Sequence, residues 1–272
     1  MIAALRSELR KTMTTRMWWV LLLTMVVYMA FLAGVMAFSF AFEAPGAGAA
    51  GPGGEEGMAL APLDLALTVY TLAPTLGYVF PVIMGALSVS GEFRHMTVTP
   101  TLLAEPRRTV VLGAKLLAGL PIGLLYGVVG TLTTIGTGAA VLAALGEDPM
   151  LTDPEVLRTA ALAVLAMTVW AVVGVGFGAA LKNQVVAVVV VLAFTQLVEP
   201  VLRVALGLVE SLQEVPKWLP GAAGEAIAGA SFYSASGINE LLPRWQGLVV
   251  LIGYALVLAA VGRLTTLRRD IT

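Results

Sequence analysis

The chain contains no cysteine and only one histidine, His95, among its 272 residues. The lack of cysteine excludes a disulfide framework, a haem-attachment motif and any thiolate metal site. One imidazole also cannot supply the paired histidines of an H-E-x-x-H metalloprotease motif. We therefore expect no metal site in this chain.

Charge is scarce as well. Only 12% of the residues are charged, about half of the roughly 25% found in soluble domains, while 58% are hydrophobic and the mean hydropathy is +0.91. Residues 18–42 contain no charged side chain at all, and about 20 apolar residues in a helix suffice to cross a bilayer. The composition predicts a polytopic membrane protein rather than a soluble domain.

The apolar runs predict an all-α fold with six transmembrane helices. Their expected bounds are about 18–42, 65–90, 112–145, 157–181, 185–209 and 245–264. The third run is too long for one bilayer, so we expect its first turns, around Lys115, to project into water. Pro200 interrupts the fifth run and predicts a kink or a break there.

The distribution of Lys and Arg predicts the orientation of these spans. Twelve basic residues and four acids lie in one set of segments, and three basic residues and twelve acids lie in the other. The basic set is 1–17, 91–115, 182–184 and 263–272, and the acidic set is 43–64, 146–158 and 210–244. The two sets alternate along the chain, so the positive-inside rule places both termini in the cytoplasm.

The two ends of this layout carry additional elements. In residues 1–17 the apolar side chains recur at helical spacing and the charges fall elsewhere, which predicts an interfacial amphipathic helix. The alternative is a basic tail that only enforces topology. The outer segment 210–244 is apolar and rich in aromatic residues. It is therefore expected to be re-entrant, or to lie on the membrane surface, before the last span.

The chain lacks a nucleotide-binding motif. A P-loop requires G-x-x-x-x-G-K-[ST], and none of the four lysines follows a glycine. We expect no catalytic residues and no cofactor in this chain. If transport is driven by ATP, the ATP and Mg²⁺ must be bound by another polypeptide.

A polar stretch, residues 91–111, separates the second and third predicted spans. It combines basic residues with alternating threonines, two prolines and apolar side chains, including Phe93 and Leu102. A plain connector needs only polarity, whereas a docking element needs a rigid segment with an apolar anchor and charges that set its register. Both interpretations are open on these grounds alone.

The residues of this loop follow a particular order: Gly91, Glu92, Phe93, Arg94, Thr97, Thr101, Leu102, Pro106, Arg107, Arg108 and then Lys115. This order resembles the cytoplasmic-loop signature of ABC-2 type permeases, the membrane subunits of one class of ATP-binding-cassette (ABC) exporters. The amphipathic N-terminal segment, the six spans and the apolar segment before the last span are also similar to that family.

The resemblance implies a permease that exports a hydrophobic or amphiphilic substrate from a prokaryotic plasma membrane by alternating access. Its expected partners are a soluble ABC ATPase, a second permease chain and the lipid bilayer, with no nucleic acid. The family's loop forms a coupling helix on the ATPase, which implies contacts through Glu92, Phe93, Arg94, Thr97, Thr101, Leu102, Pro106, Arg107 and Arg108.

The family pairs its subunits through the second and fifth spans. By that analogy a translocation path would be lined by Tyr70, Tyr78, Phe80, Phe194 and Gln196. Small residues could also support helix contacts, either between two chains or within one. These are Gly119, Gly123, Gly127, Gly174 and Gly178.

Glu199 is an acid within an apolar run, which by default indicates function. Arg203 follows four residues later, so a structural ion pair is the simpler expectation. The competing functions are an ion-coupled secondary transporter, an intramembrane enzyme, and a non-catalytic membrane scaffold or immunity protein. The first needs more buried titratable groups than Glu199, and the second needs catalytic residues that the spans lack.

Overall fold

The structure, a computed structural model, describes residues 2–43, 61–237 and 240–265, with the side chains of residues 42 and 43 left aside. These ranges are helical, and no strand occurs in them. The glycine-rich part of the first outer connection, 44–60, lies outside the described residues. So do the last basic residues, Arg268 and Arg269.

Within the described ranges, six helices are long and apolar enough to cross a membrane. We call them spans 1 to 6: Met17–Ala41, Pro62–Arg94, Arg108–Ala144, Pro154–Ala180, Gln184–Gly207 and Arg244–Thr265. Each end lies within four residues of the bound expected from the sequence. The prediction of an all-helical, six-span membrane protein is confirmed in this respect.

The helices are numbered in chain order. They are α1 (Ile2–Thr14), α2 (Met17–Glu43), α3 (Pro62–Tyr70), α4 (Val79–Arg94), α5 (Val98–Ala104), α6 (Arg108–Ala144), α7 (Pro154–Ala180), α8 (Gln184–Ala193), α9 (Glu199–Gly207), α10 (Pro220–Ala228), α11 (Phe232–Ala235) and α12 (Arg244–Thr265). Span 2 consists of α3 and α4, and span 5 consists of α8 and α9.

Local signals start two of the spans. The Asp153 side chain accepts a hydrogen bond from the Glu155 backbone N–H at 2.7 Å, directly before α7. The Asn183 side chain accepts from two backbone N–H groups at the start of α8. Such N-caps satisfy donors that the first helical turn would otherwise leave free.

Span 2 forms the centre of the bundle. Its apolar window is 83% buried, compared with 22% for spans 1 and 5. The α4 helix lies against α7 with almost no side chain between them. A Cβ atom on Gly174 would come within 2.1 Å of the Val82 carbonyl oxygen, and one on Gly178 within 2.3 Å of the Ala86 carbonyl oxygen. The two backbones therefore touch directly, which only glycine allows.

The glycines of α6 make the same kind of contact. A Cβ on Gly123 would meet the Thr168 carbonyl oxygen at 2.7 Å, and one on Gly127 would meet that of Val164 at 2.8 Å. Gly119 also faces α7. Of the two interpretations left open above, contact within one chain is the one that this structure uses.

Two π-helical turns interrupt the spans, Ala73–Gly77 in span 2 and Phe194–Val198 in span 5. The second lies directly before Glu199 and Pro200, where the sequence predicts a kink or a break. The Glu199 N–H bonds to the Phe194 carbonyl, five residues back. Pro200 has no N–H to donate to the next carbonyl, that of Thr195. The Tyr78 hydroxyl donates to that carbonyl instead, at 3.2 Å, so the residue that follows the first π turn is bonded to the second.

Candidate coupling site

The polar loop between spans 2 and 3 contains a short helix, α5, whose first residue packs against the bundle. The Val98 side chain is buried, whereas most of the other α5 side chains are exposed or partly exposed. The preceding turn closes through a hydrogen bond from the Thr97 N–H to the Glu92 carbonyl, at 2.9 Å. The α5 helix is thus tied to the end of α4 by backbone as well as by packing.

Four charged side chains meet beside α5. We call Glu8, Lys11, Glu92 and Lys115 the coupling charge cluster. The Lys11 ammonium contacts Glu8 at 2.7 Å and Glu92 at 2.6 Å, and the Lys115 ammonium contacts the same two carboxylates at 2.5 and 3.0 Å. Acids and bases alternate around a closed ring with no net charge, and the ring joins α1, α4 and α6.

The cluster also contacts neutral groups. Lys11 donates to the Thr101 hydroxyl of α5 at 3.0 Å, and Lys115 donates to the Ser88 carbonyl at 3.0 Å. Lys115 is only 4% exposed. The α1 helix thus covers the Lys115 side chain and supplies its counter-ion, and the position of the start of span 3 relative to the bilayer stays a prediction.

Electrostatics support the charged state of Lys11. Partial burial acts to lower the pKa of this ammonium, but the hydrogen bonds and negative charges of Glu8 and Glu92 outweigh burial and raise the pKa above its ordinary value. Lys11 is therefore protonated at neutral pH and holds the two carboxylates together. A single cation thereby connects α1 with the end of span 2 and with α5.

The α1 helix turns a polar edge towards the bundle, while Arg6 and Arg10 are exposed. Glu8 and Thr12 are buried, whereas Ile2 and Met13, of the apolar stripe, are exposed. The contact between α1 and the rest of the chain therefore includes the ion pairs of Glu8 and Lys11, and Leu5 and Leu9 are partly buried. The exposed part of the apolar stripe is left for another environment, as expected of a helix at a membrane surface.

The residues expected to contact an ATPase fall into three groups. Arg94, Thr97, Pro106 and Arg107 are exposed, while Phe93, Thr101, Leu102 and Arg108 are partly buried. Glu92 is turned inward to the coupling charge cluster and presents almost no surface. The exposed apolar side chains here are Met96 and Leu103, each 78% exposed, rather than the expected anchors Phe93 and Leu102.

A groove of about 490 Å³ lies between α1 and α5. One wall carries Ser7, Glu8 and Lys11, and the other carries Thr97, Pro100, Thr101, Ala104 and Glu105. At its rim, the Arg107 guanidinium donates two hydrogen bonds to Glu105, at 2.8 and 3.0 Å. These bonds lower the pKa of Glu105 to about 2, so both charges are present at neutral pH.

A second polar cluster lies beside Tyr78, directly before the other end of α4. Glu199 and Arg203 of α9 and Glu225 of α10 are at most 2% exposed, and we call them the buried acidic cluster. Arg203 donates to Glu199 at 2.8 Å, with the i,i+4 geometry that the spacing predicts, and to Glu225 at 2.7 Å. Its guanidinium also lies 4.9 Å from the centre of the Tyr233 ring.

Of the five expected path residues, Tyr78 contacts the turn that contains Phe194 and Gln196, through its bond to the Thr195 carbonyl. Tyr70, Tyr78 and Phe80 are packed in the core of span 2, Phe194 is partly buried and Gln196 is exposed. Tyr70 donates to the Pro149 carbonyl at 2.7 Å, and Tyr78 stacks on Trp170 at 4.3 Å between ring centres. Span 2 is enclosed by the other spans of the same chain, and the path, which the resemblance places between two chains, stays a prediction.

No group of three or more His, Cys, Asp or Glu residues that could hold a metal ion occurs in the part of the chain that the structure describes. No protein-family model matches the chain, and no curated protein matches it significantly.

Sequence reasoning missed three elements of these sites. Glu8 entered only as a charge of the N-terminal segment, Lys115 only as a cytoplasmic base and the last residue of the loop signature, and Glu225 only as one of the outer acids. Each had a signal: Glu8 is the one acid of a basic helix, Lys115 stands alone in an apolar run, and Glu225 lies in the apolar stretch GAAGEAIAGA. A charge that is isolated in apolar sequence indicates a buried partner.

Proposed function

We propose that this chain is the membrane-spanning subunit of an ABC exporter and moves a hydrophobic or amphiphilic substrate by alternating access. The observation that carries the proposal is the coupling charge cluster. The cluster ties α5 to both adjoining spans and to α1. The loop that contains α5 also carries exposed apolar side chains. A force applied to α5 would reach α4 through Glu92 and α6 through Lys115.

The surface around α5 suits a protein partner. Met96 and Leu103 supply exposed apolar anchors, and Arg94 and Arg107 supply charges beside them. Interfaces of this composition derive affinity from a few apolar anchors, while rim charges set orientation and association rate. The groove between α1 and α5 gives such a partner a recess in which a helix or loop can lodge.

The remaining parts of the proposal follow the resemblance. The ATPase subunit would bind ATP and Mg²⁺, and a second permease chain would complete the path. Both termini would lie in the cytoplasm of a prokaryote, so α5 would face the ATPase and α10 would enter from the outer side. In support of the re-entrant assignment, all nine residues of α10 are buried.

One observation favours ion-coupled secondary transport as the alternative. The sequence argument against it depended on Glu199 being the one acid within the apolar core. The structure buries Glu225 there as well, so a pair of acids is present where an ion-coupled transporter would need it.

A co-purification experiment distinguishes the two functions. We expect the tagged chain, extracted from its native membrane in mild detergent, to carry a soluble ATPase in stoichiometric amount. Arg94→Glu combined with Arg107→Glu should reduce the bound ATPase at least tenfold, because both charges are exposed beside the apolar anchors.

The matched control is Lys182→Glu combined with Arg263→Glu. It makes the same charge change at exposed positions that belong to the same basic set but lie away from α5. Retention of the ATPase by both variants would count heavily against docking on α5. Recovery of the chain without any ATPase would favour the secondary transporter.

A further inference from the structure

The buried acidic cluster does not balance its charges. Glu199, Arg203 and Glu225 place two carboxyl groups and one guanidinium at positions that are 1%, 2% and 0% exposed. With all three ionised, the interior would hold one uncompensated negative charge. A buried charge without a partner is strongly disfavoured, and two carboxyl groups at one site do not both ionise readily.

Glu199 has the donors that an ionised carboxylate requires. Its Oε1 accepts from the backbone N–H groups of Gly221 and Ala222, at 2.6 and 3.2 Å, at the start of α10. It accepts from two nitrogens of Arg203 as well, at 2.8 and 3.3 Å. Four donors and a helix N-terminus stabilise negative charge at this position.

Glu225 is supplied much less well. Its Oε1 accepts from Arg203 at 2.7 Å, and the Ser231 hydroxyl lies beside the carboxyl group. The Oε2 atoms of both acids are buried and have no hydrogen-bond partner among the described residues, so the two differ at Oε1, which accepts four hydrogen bonds in Glu199 and one in Glu225. Of the two acids, Glu225 is therefore the one that can be neutral at the lower cost.

The close packing argues against a metal or sodium ion as the balancing charge. A Cβ atom on Gly221 would lie 2.4 Å from the Arg203 guanidinium and 2.5 Å from Glu199 Oε1. One on Gly224 would lie 2.4 Å from the Trp170 indole nitrogen. Backbone and aromatic ring thus press directly on the cluster. A proton needs no such space.

We propose that the buried acidic cluster is a proton-binding site, in which Glu225 carries one proton while Glu199 remains ionised against Arg203. The proton comes from water and converts the Glu225 carboxylate to a neutral carboxyl group, with no other bond made or broken. The cluster then carries no net charge. This inference does not depend on the proposed transport function.

The groups that face the cluster are few. Around Glu199, Arg203 and Glu225 lie the hydroxyl groups of Tyr78, Tyr233 and Tyr254, from three other elements of the fold. Among the described groups that act on the cluster there is no lysine or histidine. The phenols are neutral at physiological pH, so none of them replaces the missing positive charge.

The direct test is infrared spectroscopy of the purified protein at pH 7, in a detergent without ester or carboxyl groups. Exposed acids are ionised at this pH, so the stretching band of protonated carboxyl groups reports on buried ones. We expect the band in the wild type and its loss in Glu225→Gln. Glu210→Gln, which changes an exposed acid of the same outer segment, should keep it.

The same band can be made to grow. In Arg203→Met the cation is gone, so both acids of the cluster become neutral and the band should roughly double. Glu199→Gln should also remove the band, because the remaining acid then pairs with Arg203. This variant should unfold at a lower temperature than Glu225→Gln, since Glu199 accepts the larger number of hydrogen bonds.

Each outcome decides the inference. A wild-type spectrum without the band, or a band that Glu225→Gln leaves unchanged, overturns it. If Glu225→Gln does not fold, the Arg203→Met variant provides the test. A band in that variant no larger than the wild-type band overturns the inference. These spectra need no ATPase partner, so a negative result here is distinct from a failure of the co-purification experiment.

Discussion

Replacing Lys115 with methionine is the sharpest perturbation of the coupling charge cluster. Methionine keeps most of the side-chain length but removes the charge, which leaves Glu8 and Glu92 to share Lys11. Breaking a buried ion pair by removing one partner costs roughly 3–5 kcal/mol. The Lys11 side chain is 39% exposed and admits water to the cluster, which weakens the ion pairs. We therefore expect Lys115→Met to destabilise the docked state of α1, relative to the undocked state, by about 2–3 kcal/mol.

The natural lack of cysteine supplies the assay. Thr12 lies on the docked face of α1 and is buried, so a single cysteine placed there reacts with a maleimide only when α1 leaves the bundle. A loss of 2–3 kcal/mol raises the undocked fraction roughly 30- to 150-fold. We expect Lys115→Met to accelerate labelling of Thr12→Cys by that factor.

Two further variants complete the experiment. Arg6→Met, on the exposed face of α1, removes a charge without touching the cluster and should leave the labelling rate unchanged. Glu8→Gln added to Lys115→Met restores a one-to-one balance between Glu92 and Lys11 and should recover part of the effect. Equal labelling of the wild type and Lys115→Met, within twofold, would refute the role of the cluster in holding α1.

Two other predictions concern packing and pH. Gly174→Ala should destabilise the protein by about 3 kcal/mol in thermal unfolding, because its Cβ would meet the Val82 carbonyl oxygen, whereas Gly136→Ala, with nothing within 4 Å, should be neutral or slightly stabilising. Arg107→Gln should raise the pKa of Glu105 from about 2 towards its ordinary value, because the Arg107 hydrogen bonds hold it down. In the wild type the ionised pair should be lost only as the pH falls through about 2, and a carboxyl-carbon NMR titration measures this midpoint. An unchanged midpoint in Arg107→Gln would contradict the argument about Glu105. Equal stability of the two alanine variants would contradict the argument about Gly174.

The spans could be predicted from the sequence because each depends on local information. Asp153 and Asn183 mark helix starts within a few residues, and the length of each apolar run decides that it can cross a bilayer. The i,i+4 pair of Glu199 and Arg203 is local in the same sense. By contrast, the partner of Lys115 is Glu8, more than 100 residues away, and no periodicity connects the two.

Hydropathy also misleads about which span lies at the centre. Span 2 has the lower mean hydropathy, 1.7 against 2.4 for span 1, yet it is far more buried. In a bilayer the apolar side chains lose little by facing lipid, so the most hydrophobic helix has no reason to be innermost. Close approach decides the order instead, and Gly174 and Gly178 provide it against the α4 backbone at Val82 and Ala86.

The two clusters are connected by one helix. From Tyr78, beside the buried acidic cluster, to Glu92, in the coupling charge cluster, α4 covers about 21 Å at the usual helical rise. This helix packs backbone to backbone on α7 at Gly174 and Gly178, and we expect that contact to resist bending. A displacement of Glu92 must therefore appear at Tyr78 and its hydrogen bond to Thr195, or be absorbed at the π turn Ala73–Gly77 that precedes α4. Because Tyr78 reaches the π turn just before Glu199, a movement that starts at α5 would act directly on the proton-binding site.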